Sequence, residues 1–195
     1  ADLSDADAVR RLFAQVRPSL VIHAAGPAAA EEFEGAIIQA TNNVVSGCGL
    51  FGARLLHMST DSVFDGENAP YAETDLPLPA NAYGRAKLDA EIQVKTLQPG
   101  QSCIVRTSLL MGAAPLDPRS DTIVQNLRTQ KPVTLFVDEL RCPIWVEDLA
   151  EAIWELCALN DLPPVIHIAG PETLSRYALG LLIANYAGAR GSAII

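Results

Sequence analysis

A tyrosine and a lysine four residues apart, Tyr83 and Lys87, are the clearest sign of chemistry in this chain. On a helix, positions i and i+4 share a face, so the phenol and the ammonium can approach one point. A tyrosine hydroxyl has a pKa near ~10, and a nearby cation lowers that pKa toward neutrality. Upstream, Ser59 and Thr60 end an apolar run and could hydrogen-bond a carbonyl or an alcohol. This set of groups suits proton transfer coupled to hydride transfer.

The same spacing also arises by chance, because the chain contains four tyrosines and three lysines. The surrounding sequence favours the catalytic interpretation. The hydroxyl pair ends a predicted strand, a Pro-rich loop follows at residues 64–82, and a predicted helix opens at Tyr83. A loop of this length is uncommon in a compact domain and is predicted to be functional.

Apolar runs alternate with helical patterns along the chain. The predicted strands are residues 19–24, 53–58, 102–107, 133–137 and 165–169. Ser4 is predicted to cap the first helix, which Pro18 ends. The later predicted helices are residues 31–47, 83–97, 122–129, 146–159 and 175–186. This alternation is typical of an α/β fold with a largely parallel sheet.

Bulk composition excludes several classes of protein. The net charge is −9 and no basic block is present, which argues against binding to nucleic acid. No apolar run reaches the ~18 residues that a membrane-spanning helix needs, and no signal-peptide pattern opens the sequence. We therefore expect a cytoplasmic protein without a membrane partner. The four cysteines are predicted to be reduced thiols, and His23, His57 and His167 to be satisfied core histidines without metal-ligand spacing.

Longer runs of sequence around these groups carry a family resemblance. They are residues 19–25, 55–66, 70–71, 82–91, 105–108, 141–150 and 167–172. Together they resemble the extended short-chain dehydrogenases/reductases, and within these the branch of dTDP-4-dehydrorhamnose reductases and related nucleotide-sugar reductases. The resemblance covers nearly the whole chain. It implies a Rossmann-like parallel sheet that lacks its first strands, with a small C-terminal substrate-binding region.

The resemblance also implies a division of the chain. Residues 1–112 correspond to a partial dinucleotide-binding core with the catalytic helix. Residues 113–195 correspond to a mixed substrate-binding region and the last core strand, all within a single compact unit. No Gly-rich phosphate loop lies ahead of residue 19, and the G-x-G of residues 47–49 precedes a strand instead of following one. By resemblance the chain begins just after that loop.

Two expectations follow for the 195-residue chain. It should bind NAD(P)H weakly, because the pyrophosphate is normally held by such a loop. The strand at residues 19–24 should also form an exposed sheet edge, which favours pairing with another chain and makes a homodimer possible.

The resemblance assigns roles in cofactor binding and catalysis, with NADP or NAD as cofactor. Tyr83 would donate a proton to the substrate carbonyl, and Lys87 would lower the pKa of Tyr83 and hold the nicotinamide ribose. Thr60, or less favourably Ser59, would hydrogen-bond the carbonyl. The remaining cofactor-binding candidates are Asp2, Leu3, Ala24, Ala25 and Gly26.

The substrate-binding candidates are Asp61, Ser62, Ser108 and Arg141, which would contact a nucleotide-linked keto sugar. This chain departs from the branch at two positions that line the sugar pocket by resemblance. Ser62 replaces an aromatic residue, and Leu109 replaces a tryptophan. The exact sugar therefore stays open. Two alternatives also stay open: a catalytically silent regulatory or scaffold subunit of the same fold, and a nucleotide-sugar epimerase or dehydratase.

Overall fold

The fold, taken from a computed structural model, is described for residues 1–26, 33–189 and 194–195. The helices in chain order are α1 (Ala6–Val16), α2 (Phe33–Phe51), α3 (Ala82–Val94), α4 (Pro118–Arg128), α5 (Val146–Ala158) and α6 (Arg176–Tyr186). The strands are β1 (Leu20–His23), β2 (Arg54–Thr60), β3 (Ser102–Thr107), β4 (Leu110–Met111), β5 (Leu140–Arg141), β6 (Ile144–Trp145), β7 (Val165–Ile168) and β8 (Leu174–Ser175).

The chain divides into two compact units. The first contains Ala1–Thr107 and Ile153–Ile168, and the second contains Ser108–Ala152 and Ala169–Ile195. The division after residue 112 that the resemblance implies stays a prediction. The structure separates the two units directly after β3, and it assigns β7 to the first.

A four-stranded parallel sheet with the order β1-β2-β3-β7 forms the centre of the first unit. This confirms the predicted α/β class with a parallel sheet. The strands are in register, so that His23 lies opposite His57 and Thr60 lies opposite Thr107. The carboxyl ends of β1, β2 and β3 therefore share one edge of the sheet, where ligands bind in open α/β folds.

The core of the first unit lies between the sheet and the helices. Helix α1 contributes Val9 and Phe13, which are 1% and 4% exposed. These two side chains belong to a cluster with Val44, Val45, Cys48, Ala53, Leu55, Val94 and Ile104. Within the described residues β1 is an edge strand of this sheet, and its Ile22 is 38% exposed.

The described part of the second unit contains two short strand pairs and two isolated bridges, Ala113–Leu116 and Val133–Ile194. Strand β4 pairs with β6 in parallel, and β5 pairs with β8 in the antiparallel sense. A separate apolar cluster is formed mainly by α4 and α6, with Ile123, Val124, Leu127, Val133, Leu179, Ile183, Ala184 and Ile194. None of the helices in the described part of the chain is long and apolar enough to cross a membrane.

Two local predictions were wrong. Asp5, not Ser4, caps α1, because its carboxylate accepts from Asp7 N and Ala8 N while the Ser4 hydroxyl bonds to Asp2. Residues 133–137 form no strand, since among the described residues the segment makes a single isolated bridge, between Val133 and Ile194.

The G-x-G at residues 47–49 is not a phosphate loop, because α2 continues through it to Phe51. Gly47 is required there for packing: a Cβ would lie 2.9 Å from the Phe13 ring. The predicted start of this helix at residue 31 lies outside the described residues.

Candidate active site

Helix α3 places Tyr83 and Lys87 on one face, in its first two turns. Asn81 caps the helix and accepts a hydrogen bond from Gly84 N at 2.8 Å. Tyr83 is 36% exposed, whereas Lys87 is 9% exposed and buried against the sheet. The Lys87 Nζ donates to the Met58 carbonyl at 2.6 Å. Lys87 is thereby fixed to the end of β2, two residues before Thr60.

Close packing at Gly84 sets the distance between α3 and the segment after β2. A Cβ at position 84 would lie 2.0 Å from the Ser62 carbonyl oxygen and 2.9 Å from the Pro79 Cβ. Only glycine leaves room for the chain at Ser62 to approach the first turn of the helix this closely. Gly84, the residue that follows Tyr83, therefore helps to position Tyr83.

The two candidate hydroxyls at the end of β2 have different surroundings. The Ser59 hydroxyl is buried and donates to Glu91 Oε1 at 2.6 Å. The Thr60 hydroxyl caps the 3-10 turn Asp61–Val63 by accepting from Ser62 N at 3.2 Å, and it donates to Asp61 Oδ1 at 3.3 Å. Thr60 is also buried, at 8% exposed, but it is the last residue of β2 at the carboxyl edge of the sheet, whereas the Ser59 hydroxyl is bonded to Glu91. This difference favours Thr60 over Ser59 as the group that meets a substrate.

The charge of Lys87 is sensitive to its surroundings. Burial lowers the pKa of Lys87 from 10.5 to about 8, and the carboxylate of Glu91 partly opposes this shift. Burial is also the main reason why the pKa of His23 falls to about 4, with a smaller contribution from the Lys87 cation. A lysine with a pKa of about 8 is still mostly protonated at neutral pH, as the proposed pairing with a tyrosine requires.

The prediction that all three histidines have hydrogen-bond partners in the core is wrong for His57. His23 has Thr41 Oγ1 at 3.2 Å, and the His167 ring lies 3.4 Å from Arg106 Nη1. His57 is 1% exposed, and neither of its ring nitrogens has a partner among the described residues. Burial, the Lys87 cation and His23 together hold the pKa of His57 well below its usual value. The His57 imidazole is therefore neutral, and its ring centroid lies 5.2 Å from that of His23.

Replacing His57 by Leu should leave the free energy of unfolding at pH 7 within about 1 kcal/mol of the natural protein, because no hydrogen bond is lost. Below about pH 6.5, His57 is protonated in the unfolded protein but stays neutral in the folded protein. The free energy of unfolding therefore decreases as the pH is lowered. In the His57→Leu variant this contribution is absent, so the pH dependence of the free energy of unfolding should be smaller by about 1.4 kcal/mol per pH unit. Urea unfolding at several pH values measures both quantities. A His57→Gln control removes the titration but keeps a buried polar group, and an unchanged slope in both variants would contradict the assignment.

The first cofactor candidates lie at the end of β1 and at the chain start. Ala24, Ala25 and Gly26 are exposed and follow β1 at the carboxyl edge, where small residues let a ligand approach the backbone. Asp2 accepts from Ser4 N and Oγ, which lowers the pKa of its carboxyl group. Leu3 packs against the core of the first unit, and its carbonyl accepts from Asn43.

The substrate candidates fall into two groups. Asp61 and Ser62 lie in the turn after Thr60, and the Ser62 hydroxyl bonds to Asp61 Oδ1 at 3.4 Å. In the second unit, Ser108 Oγ accepts from Cys142 N at 3.2 Å, which brings Ser108 next to the strand that carries Arg141. Arg141 lies 3.4 Å from Glu139 Oε1. Two of the substrate candidates, Asp61 and Ser62, therefore lie in the first unit, and Ser108 and Arg141 lie in the second.

The loop that leads into α3 is anchored to the first unit. Its Phe64 and Tyr71 rings stack with centroids 4.2 Å apart, and the Arg106 guanidinium lies 5.1 Å from the Phe64 ring centroid. Glu73 accepts from the backbone N–H of His167 on β7 at 3.1 Å. A cavity of about 310 Å³ opens in this loop, lined by Phe64, Asp65, Asn68, Tyr71, Asp75, Leu76 and Leu78. None of the predicted catalytic residues lines it.

Sequence reasoning missed a buried charge pair behind the site. Glu91 is fully buried and forms a two-pronged ion pair with Arg106, with Nε–Oε1 2.9 Å and Nη2–Oε2 2.7 Å. A usable signal was present, since Glu91 lies one turn beyond Lys87 on the face that carries Tyr83. Thr107 was also missed. It lies opposite Thr60, and its hydroxyl is buried without a partner among the described residues.

Comparison with known proteins identifies the family. The model of the RmlD substrate binding domain matches residues 1–194. The chain belongs to this family. A beta subunit of methionine adenosyltransferase 2 from Danio rerio is 30% identical over an aligned length of 196 residues, and the match covers 94% of this chain and 60% of the relative. The chain thus spans about 60% of the length of that curated relative.

Relatives with reductase names are similarly close. A dTDP-4-keto-6-deoxy-D-glucose reductase from Streptomyces niveus is 34% identical over 161 residues, covering 78% of this chain and 55% of the relative. A crystal structure of dTDP-4-dehydrorhamnose reductase from Bacillus anthracis in complex with NADP superposes with a TM-score of 0.84 at 26% identity. The match covers 97% of this chain and 70% of that chain. The family and the Rossmann-like architecture predicted from the sequence are therefore confirmed.

Proposed function

We propose that the protein containing this chain is an NAD(P)-dependent reductase of a nucleotide-linked keto sugar. The observation that carries the proposal is Lys87, held by the Met58 carbonyl on the face of α3 that also carries Tyr83. Family membership and the NADP-bound reductase structure support this use of the site. An epimerase or a dehydratase would use the same pair, but reductase names are carried by the matched sugar enzymes reported above.

The residues present fit a nicotinamide dinucleotide. An ammonium carries three donors, so Lys87 can donate to ribose hydroxyls as well as to Met58. The exposed small residues 24–26 leave the carboxyl edge of β1 open to the flat face of a cofactor. When bound, the reduced cofactor supplies hydride to the substrate carbon.

Each catalytic side chain then has a defined task. Thr60 hydrogen-bonds the sugar carbonyl and orients it at the sheet edge. Tyr83 donates a proton to the carbonyl oxygen as that oxygen gains negative charge, and solvent later restores the proton. The Lys87 cation stabilises the phenolate that is left on Tyr83. Asp61, Ser62, Ser108 and Arg141 are proposed to bind the nucleotide and the sugar, and Asp2 and Leu3 to border the cofactor.

The test is consumption of NADPH or NADH by the complete protein with a panel of nucleotide-linked 4-keto sugars. The proposal expects turnover with at least one sugar and a reduced hydroxyl in the product. Product formation without net loss of reduced cofactor would instead indicate an epimerase or a dehydratase. The cytoplasmic location and the homodimer expected from the sequence stay predictions.

The rate should fall in alkaline solution. Lys87 has a pKa of about 8, so its cation, which the phenolate of Tyr83 needs, is lost as pH rises through that value. We expect kcat/KM for the sugar to decline above about pH 8, by up to tenfold per pH unit. A pH profile measured in overlapping buffers checks this, and a flat profile from pH 7 to 10 would contradict the role of Lys87.

A second candidate function is a regulatory subunit. The observation that favours it is that several relatives at 29–31% identity are beta subunits of methionine adenosyltransferase 2. This candidate expects a stable complex with a methionine adenosyltransferase catalytic subunit in size-exclusion chromatography, together with no sugar turnover. Complex formation that survives Tyr83→Phe would separate binding from chemistry.

A further inference from the structure

Glu91 lies on the face of α3 that carries Tyr83 and Lys87, and its carboxylate accepts three hydrogen bonds. It is fully buried, one helical turn after Lys87 and two turns after Tyr83. Ser59 Oγ donates to Oε1 at 2.6 Å, and Arg106 donates to both carboxylate oxygens. A carboxylate bound by a guanidinium fork is fixed in both position and direction.

The bond to Ser59 connects Glu91 to the reacting end of β2. Ser59 stands between Met58, whose carbonyl accepts from Lys87 Nζ, and Thr60. Helix α3 is therefore bonded to two consecutive residues at the end of β2, Met58 and Ser59. Loss of the Ser59–Glu91 bond would let Thr60 shift relative to Lys87 and Tyr83, and sub-ångström placement matters for catalysis.

Glu91 also supplies the negative charge in a buried group of cations. On α3, Tyr83 and Glu91 share the helix face of Lys87. His57 on β2 and His23 on β1 interact electrostatically with the Lys87 cation. Arg106 on β3 binds Glu91. The histidines are neutral, so the group holds two cations, Lys87 and Arg106, and one carboxylate. The excess positive charge remains beside Tyr83, but the Lys87 ammonium would be harder to retain without Glu91.

We propose that Glu91 is a positioning residue for the reductase reaction, acting through Ser59 on the placement of Thr60 and through its charge on the protonation of Lys87. This inference rests on the proposed function. Removing Glu91 would also leave the buried Arg106 cation without its partner and destabilise the fold, so the test must separate this structural effect from the effect on the site.

The test begins with Glu91→Gln, which keeps the size of the side chain and an acceptor for Ser59 but removes the charge. The chain has only three lysines, Lys87, Lys95 and Lys131, and the last two are exposed. NMR of protein labelled with ¹³C-lysine therefore follows Lys87 directly, with internal references. We expect the titration of Lys87 to move down by about one pH unit or more, and the alkaline fall of kcat/KM to move with it.

Two further variants separate charge from placement. Ser59→Ala keeps the carboxylate, so we expect kcat to fall about tenfold while the Lys87 titration stays unchanged. Asp89→Asn removes an exposed carboxylate from the same helix and should change neither quantity. If Glu91→Gln does not fold, Glu91→Asp keeps the charge with a shorter reach, and it should lower kcat without moving the titration.

Each result has a defined meaning. An unchanged Lys87 titration in folded Glu91→Gln overturns the electrostatic part of the inference. Full kcat in Ser59→Ala, or in Glu91→Asp, overturns the placement part. A protein without sugar turnover overturns the proposed function, whereas the NMR titration still tests the effect of Glu91 on Lys87.

Discussion

Replacing Tyr83 by Phe is expected to lower kcat by about 10²- to 10⁴-fold, the usual contribution of a positioned general acid. The change removes only the hydroxyl group that would protonate the sugar carbonyl. Tyr83 is partly exposed at the start of α3, so the ring of Phe should keep its packing and the fold should be unaffected. The measurement is steady-state turnover of the keto sugar identified in the substrate panel.

Cofactor binding is the companion measurement for this variant. Calorimetric titration with NADPH should give nearly the same affinity for Tyr83→Phe as for the natural protein, because Lys87 is unchanged. Tyr186→Phe is the matched control, since Tyr186 is an exposed tyrosine near the end of α6 and should retain full activity. A Tyr83→Phe protein with most of its kcat would contradict the assigned role.

Replacing Gly84 by Ala is expected to lower the free energy of unfolding by roughly 2–3 kcal/mol and also to lower kcat. The added Cβ would lie 2.0 Å from the Ser62 carbonyl oxygen, and this atom belongs to the backbone and cannot rotate away. Either α3 or the turn Asp61–Val63 must move. Because Tyr83 is the adjacent residue, the shift reaches the proton donor directly. Urea unfolding and kcat together measure both effects.

Gly49→Ala provides the control for this experiment. Gly49 also lies within a helix, but a Cβ there would meet only the Leu97 side chain at 3.8 Å, an ordinary contact. Alanine has the higher helix propensity, so Gly49→Ala should stabilise the protein by about 0.5–1 kcal/mol. If Gly84→Ala behaves like Gly49→Ala, the close packing at Ser62 is not a requirement of the fold.

Patterns that repeat locally were read correctly from the sequence. The buried runs at residues 53–58 and 102–107 became neighbouring parallel strands, because a continuous apolar run suits a strand covered on both faces. Ser175 caps α6 as predicted, since its hydroxyl accepts from Ala178 N at 3.0 Å. The i+4 spacing of Tyr83 and Lys87 placed both on one helix.

Patterns that depend on a partner were read less well. Residues 133–137 have an apolar sequence, but Phe136 and Val137 are 61% and 70% exposed. In the part of the chain that the structure describes, no neighbouring strand extends the bridge at Val133. Ser4 and Asp5 are both acceptable helix caps in sequence, and only the backbone geometry selected Asp5. Strand formation and capping both need a contact that residue order alone does not supply.

By itself, the sequence determined the α/β class, the family and the three side chains proposed for catalysis, since each is encoded in short-range spacing or in contiguous motifs. Only the tertiary structure decided how those side chains are held. Two of the contacts join different elements, the packing of Gly84 against Ser62 and the ion pair of Glu91 with Arg106. The burial of the His57 ring without a hydrogen-bond partner among the described residues likewise depends on the packed structure. Such contacts form only when the helices pack on the sheet, because their energies depend on burial and distance, which sequence order does not specify.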